Sequence, residues 1–463
     1  MVVKLNRPDI RYEGESLIRM LLGETPVTIV LPGETIPDDN DSIAITVQEQ
    51  EKCCLCHVDA CLNGEKREAS SPSTVDRTEI EQTICRMLYN QLTALLGHTL
   101  PWGMLTGVRP VKLVRQMTEV GMSEADVMQK LSDYGVSEER AQLSMDTWHN
   151  QREIVEALSS DQISLYVAIP FCPSRCSYCS FVSRTVGDKA TRALVQPYVD
   201  KLCRELTAIR ETADRCGLRI RTFYIGGGTP TALSAAQLEQ LMSHIARTFD
   251  LAALDEYTVE AGRPDCTDAE KLRIIKQYGA TRISINPQTF SDEVLRNIGR
   301  RHTAQDIIEC FAAARAAGHT NINMDLIAGL PGDTVEGFTA SLRQAIALNP
   351  ENITVHTLTL KRASNLVVEH RAAAYDDVSA MLESCRELAD VGYRPYYMYR
   401  QKGTLQNLEN IGWAKPGYEC LYNIYIMEEI HTILSAGAGG STKLVIPGQR
   451  RGKIERIFNF KYP

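Results

Sequence analysis

The stretch SLYVAIPFCPSRCSYCSF, Ser164 to Phe181, runs from an apolar strand straight into three cysteines spaced C-x3-C-x2-C: Cys172, Cys176 and Cys179. Three thiols on a proline-containing loop are poorly placed as core filling, and a disulfide would leave one of them unpaired. A structural zinc site takes four ligands, usually as two pairs, and no second CxxC or HxxxH occurs in this half of the chain. Thiolates favour iron–sulfur clusters, and three of them on a cubane leave one iron open to a further ligand. An iron–sulfur centre is therefore the expected role of this loop.

Working outward, strand and helix alternate with some regularity after Asp161. Apolar runs at SLYVAIPF, RTFYIGGG, EYTVEAG, RISINPQ, NINMDLIAGL and NITVHTLTL are each followed by a helical pattern, among them Ala193 to Thr212 and Asp376 to Val391. Six such units predict an α/β fold with a parallel sheet closed into a partial (βα)6 barrel. Sites in these folds gather at the C-terminal ends of the strands. The conspicuous residues obey that rule: the cysteines follow the first strand, Gly226-Gly227-Gly228-Thr229-Pro230 ends the second, Glu260 the third and Gln288 the fourth, and GLPG follows the fifth.

The front of the chain reads differently. Alternation from Ser42 to about Ala69 reaches Asn63-Gly64, a hairpin signal. Helical periods then cover Asp76 to Leu96, Val111 to Val120, Glu124 to Tyr134 and Ser137 to Leu158. The expected division is an α+β domain of unassigned role over 1–160, the barrel over 161–395, and a C-terminal extension over 396–463 that covers the substrate side. Cys53, Cys54, Cys56, His57 and Cys61 suggest a metal, but Cys54, Cys56 and Val58 alternate as one strand face, which points to structural cysteines. Trp102 to Pro110 holds a Gly-Val-Arg-Pro core whose Arg109 suits a helix cap or a ligand contact equally.

Composition narrows the setting. A chain of 463 residues has room for two or three domains with ample core, so its fourteen cysteines are not needed as a disulfide scaffold. No charged-then-apolar leader opens the sequence, which leads us to expect reduced thiols and a cytoplasmic protein. Its apolar runs are too short to span a membrane. A net charge of −8 argues against a nucleic-acid surface supplied by overall charge.

Taken together, YVAIPFC, YIGGGTPT, TVEAGRPD, SINPQTF with IGR, and MDLIAGLPG resemble, in order, the motifs of the oxygen-independent coproporphyrinogen oxidase group of radical S-adenosylmethionine enzymes, and most nearly its Z-type coproporphyrinogen dehydrogenases. The likeness extends over the whole chain, including PWGMLTGVRP and YYMYRQK. It implies a [4Fe–4S] cluster on Cys172, Cys176 and Cys179, with S-adenosylmethionine chelated to the open iron. It also implies a glycine cradle for the methionine moiety at Gly226, Gly227, Gly228, Thr229 and Pro230. Glu260 resembles the acid that contacts the cofactor, Gln288 and Asp325 the residues on its ribose, and Arg300 the arginine on its carboxylate. Tyr178 and Ile327 resemble the lining of the adenine site, and Tyr166 a tyrosine near cluster and substrate. The implied partners are a tetrapyrrole and a cytosolic electron donor such as flavodoxin or ferredoxin, with no nucleic acid or membrane.

The implied reaction converts propionate side chains of coproporphyrinogen III to vinyls. A substrate with four carboxylates calls for a basic, aromatic surface, for which Arg394, Arg400, Lys402, Lys361 and Arg362 are candidates. Two positions depart from the decarboxylating pattern: Ala168 stands in place of a first-strand histidine and Phe181 in place of a fourth cysteine. Phenylalanine there also occurs in related haem chaperones, which would need an axial ligand such as His356, His302 or Cys420. A haem-modifying methyltransferase is the third reading. The Gly-rich run Gly437 to Lys443 resembles a stretch shared by the group.

Overall fold

The computed structural model describes all residues except 24, 36–40, 108, 182, 362–363, 369–374 and 447–453. It divides into two compact units, one of 1–108 with 116–143 and one of 109–115 with 144–463.

The first unit is built on a five-stranded sheet. Strands Ser42–Glu49, Cys54–Leu62 and Glu65–Ser73 form its antiparallel part. Asn63 and Gly64 connect the last two with φ of 52° and 84°, the left-handed pair that a two-residue hairpin turn of this hand requires. Val2–Leu5 and Thr28–Val30 add parallel pairing at the other edge. Helices Arg11–Leu22 and Arg77–Leu96 pack on this sheet, the second capped by the Asp76 carboxylate accepting from Glu79 N at 3.1 Å. Cys54 and Cys56 face the core beside Val58 and Ala60, as strand alternation predicts, while Cys53 and Cys61 are half-buried.

The second unit carries an eleven-stranded sheet. Its centre is six parallel strands in sequential neighbour order: β1 (Gln162–Ile169), β2 (Arg219–Gly227), β3 (Glu256–Glu260), β4 (Arg282–Ser284), β5 (Ile322–Ala328) and β6 (Asn352–Thr357). This is the expected partial barrel. Its helices start where side chains can satisfy the first amides: Ser234 with Gln237 and Thr303 with Asp306 form capping boxes, and Asp188, Asp268 and Thr334 cap alone. The first of these helices runs Lys189–Arg215, longer than expected because Asp188 caps it, and the expected helix over 376–391 is split at Cys385 into Val378–Ser384 and Arg386–Asp390.

The expected boundaries sit differently in the structure. Helix Glu138–Glu156 runs across the change of unit at 143/144, and from its second half Asn150 donates to the Pro395 carbonyl at 2.9 Å. Ile154, Val155 and Leu158 pack in a cluster with Tyr224, Tyr396 and Tyr397. A break at 395/396 would cut β7 (Arg394–Arg400), which pairs antiparallel with β8 (Glu409–Ala414), itself antiparallel to β6. At the far edge β9 (Thr432–Ala436) runs parallel to β1 and leads into β10 (Ser441–Val445) and β11 (Ile454–Phe458). The C-terminal part therefore extends the barrel sheet at both edges.

Candidate active site

A cavity of about 730 Å³ opens at the C-terminal ends of the parallel strands. The cysteine loop forms one wall. Its shape is set by backbone pairing: Phe171–Cys172 ladders with Arg184–Thr185, Ser177 N donates to the Ile298 carbonyl at 3.0 Å, and Ser174 Oγ to the Gly299 carbonyl at 3.2 Å. Cys172, Cys176 and Cys179 all line the cavity. Their surroundings suit a cluster. Thr229 Oγ1 donates to Cys172 Sγ at 3.7 Å and Arg263 Nη1 to Cys176 Sγ at 3.5 Å, so two of the three sulfurs already receive hydrogen bonds. Burial pushes the Cys172 and Cys179 thiols up, and a bound metal is what would hold them as thiolates. All fourteen cysteines are free thiols among the described residues.

The glycine run after β2 forms the floor beside them. A Cβ on Gly228 would lie 2.5 Å from the Phe171 carbonyl oxygen and 2.9 Å from that of Ile169, and Gly227 has φ of 111°. Only glycine lets β2 cross this close to the loop. Gly227, Gly228 and Thr229 line the cavity; Gly226 and Pro230 do not. Gly226 serves its neighbours instead, because a Cβ there would meet the Glu260 carboxylate and the Tyr224 ring at 2.9 Å.

Glu260, at the end of β3, accepts from Tyr224 Oη at 2.7 Å. Burial lifts its pKa to about 7; the Tyr224 hydrogen bond opposes this and the Asp325 charge adds to it. Asp325 on β5 accepts from Asn323 Nδ2 at 2.7 Å and faces His356 Nε2 at 3.7 Å. Burial would raise its pKa, but His356 and Asn323 together hold it below the ordinary carboxylate value. Gln288 adopts φ of +68°, outside the usual range for a side-chain-bearing residue, and is pinned there by Gln288 N to Asp325 O and Ile327 N to Gln288 O, both 2.9 Å. Tyr178 Oη donates to Gln288 Oε1 at 3.0 Å and accepts from Arg300 Nη2 at 3.0 Å. Arg300 is buried, with Nη1 on the Gly262 carbonyl at 3.3 Å and its Nε without a partner. The orphaned donor on Arg300, the acceptors on Glu260 and Asp325 and the glycine cradle fit an amino-acid-bearing nucleoside. Ile327 and Tyr166 complete the set of expected residues in the cavity.

Tyr224 and Tyr422 line the cavity too, outside the expected set. Tyr166, Tyr224 and Tyr422 stack: Tyr224 and Tyr422 have ring centroids 4.5 Å apart, and Tyr166 lies 6.0 Å and 6.1 Å from them. Tyr224 could have been found by strand alternation, since it lies two residues before Gly226. The Gly-rich run contributes Ala438 to Ser441 and Lys443, and Ala438 N is tied to β1 through Tyr198, whose hydroxyl donates to the Ala168 carbonyl at 2.7 Å. Of the expected basic residues, Lys361 lines the cavity, whereas Arg394, Arg400 and Lys402 do not; Arg362 lies outside the described residues. Arg400 is buried and donates to the Asn407 carbonyl at 3.3 Å. Of the possible haem ligands, only His356 among the described residues reaches the cavity: His302 is enclosed beside Asp265, and Cys420 donates to Glu256 at 3.3 Å. Arg109 pairs with Glu429 at 2.8 Å.

Residues 166–345 match the model of the radical SAM superfamily. The chain is 40% identical over 393 residues to the oxygen-independent coproporphyrinogen-III oxidase-like protein HemZ of Bacillus subtilis, covering 83% of this chain and 78% of that one. It is 30% identical over 305 residues to the haem chaperone HemW of Escherichia coli, covering 65% and 74%. Among solved structures, coproporphyrinogen III oxidase HemN of Escherichia coli shares the fold, with a TM-score of 0.50 at 23% identity over 63% of this chain and 67% of that one. Superfamily members work with a [4Fe–4S] cluster and S-adenosylmethionine, and no helix among the described residues is long and apolar enough to cross a membrane. With 40% identity spread over most of both chains, this protein belongs to the radical SAM superfamily and, within it, to the oxygen-independent coproporphyrinogen oxidase-like group.

Proposed function

We propose that the chain catalyses oxygen-independent oxidative decarboxylation of coproporphyrinogen III, converting two propionates to vinyls and giving protoporphyrinogen IX. The observation that carries the reading is the composition of this cavity. It joins the cysteine loop and cofactor-type residues to a stack of three tyrosines and to two lysines, Lys361 and Lys443. Aromatic faces suit a tetrapyrrole's flat pyrroles, and lysines suit its carboxylates.

Cys172, Cys176 and Cys179 would hold the cluster. Glu260, Gln288, Asp325 and Arg300 would hold S-adenosylmethionine, with Tyr178 and Ile327 beside its adenine and Gly227, Gly228 and Thr229 beneath its methionine end. Bound there, the pair supplies a radical able to take a hydrogen atom from an unactivated carbon. Loss of that hydrogen atom from the β-carbon, then of CO2 and of one electron to an acceptor, leaves the vinyl group. The chain's own contribution is orientation and exclusion of water: Tyr178 fixes Arg300 and Gln288 relative to each other, and the half-buried Tyr166, with its pKa pushed up by desolvation, remains a neutral hydroxyl beside the substrate. An electron donor of the flavodoxin or ferredoxin kind, in the cytoplasm, completes the proposal.

The test is strictly anaerobic incubation of the reconstituted, reduced protein with S-adenosylmethionine and coproporphyrinogen III, followed by mass spectrometry. Loss of CO2 units together with 5′-deoxyadenosine formation, both abolished in Cys176→Ala, is the expected result. Deoxyadenosine with all four carboxylates retained would overturn the decarboxylation. A haem-carrying role is the second reading, favoured by the HemW relatives and by His356 facing the cavity.

A further inference from the structure

Arg263 lies three residues beyond Glu260 and played no part in the cofactor set. Its guanidinium is held on every edge. Nε and Nη2 make a bidentate pair with Asp265 at 2.8 and 2.7 Å, Nη2 also donates to Ser174 Oγ at 2.9 Å, and Nη1 donates to the Ser174 carbonyl at 3.3 Å and to Cys176 Sγ at 3.5 Å. Arg263 is 4% exposed, and Asp265 is backed by the enclosed His302 at 3.7 Å. A merely structural ion pair needs no contact with the sulfur. This one turns its cationic edge onto a candidate cluster ligand and its anionic partner away from it, so that the pair presents an oriented dipole to the sulfur.

Reduction adds negative charge to an iron–sulfur cluster, and hydrogen bonds or positive charge at its sulfurs favour the reduced form. We propose that Arg263 is a positioning residue that raises the reduction potential of the cluster through Cys176, and that Asp265 limits the rise by drawing the guanidinium charge back. The inference rests on Cys176 being a cluster ligand, and it is independent of which tetrapyrrole, if any, is the substrate.

The experiment is a redox titration of the reconstituted protein under anaerobic conditions, without substrate or S-adenosylmethionine, followed by electron paramagnetic resonance with iron and sulfide counted. Arg263→Gln should lower the reduced-to-oxidised ratio at a fixed potential about tenfold, equivalent to about 59 mV for a one-electron couple. Asp265→Asn should move it the other way, and Arg263→Lys should lie between Arg263→Gln and wild type. Loss of local packing would shift both neutral variants in one direction, so same-sign shifts, or none in either, overturn the proposal. If Arg263→Gln fails to hold a cluster, Asp265→Asn decides alone: an unchanged or lowered potential refutes the proposal. Failure of the ligand assignment is visible separately, as full cluster content in Cys176→Ala.

Discussion

The Tyr224 hydroxyl donates to the Glu260 carboxylate at 2.7 Å inside the barrel mouth, and this one contact opposes the burial that lifts Glu260 to about 7. Without ligand, the folded chain holds the Glu260 proton above its ordinary value of 4.5, so this group's contribution to stability is greatest below that value and is lost as pH rises through about 7. A ligand ammonium selects the ionised form instead. S-adenosylmethionine affinity should therefore rise by up to about tenfold per pH unit toward pH 7 and level off above it. Tyr224→Phe removes the opposing hydrogen bond and should move the midpoint upward, while Glu260→Gln should flatten the profile. Calorimetric titration of the reconstituted protein from pH 6 to 9 checks this, and an unchanged midpoint in Tyr224→Phe would refute it.

Gly228→Ala should damage both the fold and the site. Gly228 N donates to the Ile169 carbonyl and Thr229 N to the Phe171 carbonyl, both at 2.7 Å, and a new Cβ would strike those same two carbonyl oxygens. Backbone cannot step aside as a flexible side chain can. We expect destabilisation of about 1–3 kcal/mol by denaturant titration, with loss of S-adenosylmethionine binding. Gly187→Ala, whose Cβ would meet only the Thr185 methyl at an ordinary 3.6 Å, should leave both unchanged.

The barrel and much of its site were legible because the signals are local. An apolar strand ending in cysteines, an Asn-Gly turn and polar caps before helices each act within a few residues. The cavity's basic residues were legible only in part: Lys361 and Arg300 reach it as expected, and Arg394, Arg400 and Lys402 do not. Arg394 to Lys402 reads as a cationic stretch, yet β7 pairs with β8, so that Tyr397 and Tyr399 reach the cavity while Arg400 turns to the Asn407 carbonyl. Lys443 and Tyr422 are far from the cysteines in sequence. They arrive only because β9 adds beside β1, a pairing that sequence periodicity does not encode. Arg263 was in a quoted motif, but its sulfur contact depends on how the turn after β3 folds.

Lys443 should be a carboxylate anchor. Directly across the strand pair from it is Arg456, a like charge that Glu429, 3.5 Å from Arg456, offsets in part. Burial first, then Arg109 and Arg456, bring its pKa down to about 8, with Glu429 opposing them. Carboxylates favour the ammonium form, so porphyrin binding should weaken as pH rises through 8. Lys443→Met should weaken coproporphyrin III binding about tenfold, the equivalent of about 1.5 kcal/mol for one charge-assisted hydrogen bond. Etioporphyrin, which lacks carboxylates, should bind wild type and variant alike by fluorescence titration. Equal losses for both porphyrins would show that the effect is packing rather than charge.

Gln288 separates stability from binding. Its φ of +68° costs a residue with a Cβ about 1 kcal/mol or more, a strain that glycine does not carry. Its side chain, however, accepts from Tyr178 Oη, which in turn accepts from Arg300. Gln288→Gly should therefore leave the unfolding midpoint unchanged or raised, because relief of strain offsets the lost hydrogen bond, while S-adenosylmethionine affinity falls at least tenfold as Tyr178 and Arg300 lose their common register. Tyr178→Phe should reproduce the affinity loss without the gain in stability. If Gln288→Gly instead loses stability and affinity together, the left-handed backbone is merely tolerated at this strand end, and the side chain's role in aligning Arg300 is refuted by a Tyr178→Phe protein that binds normally.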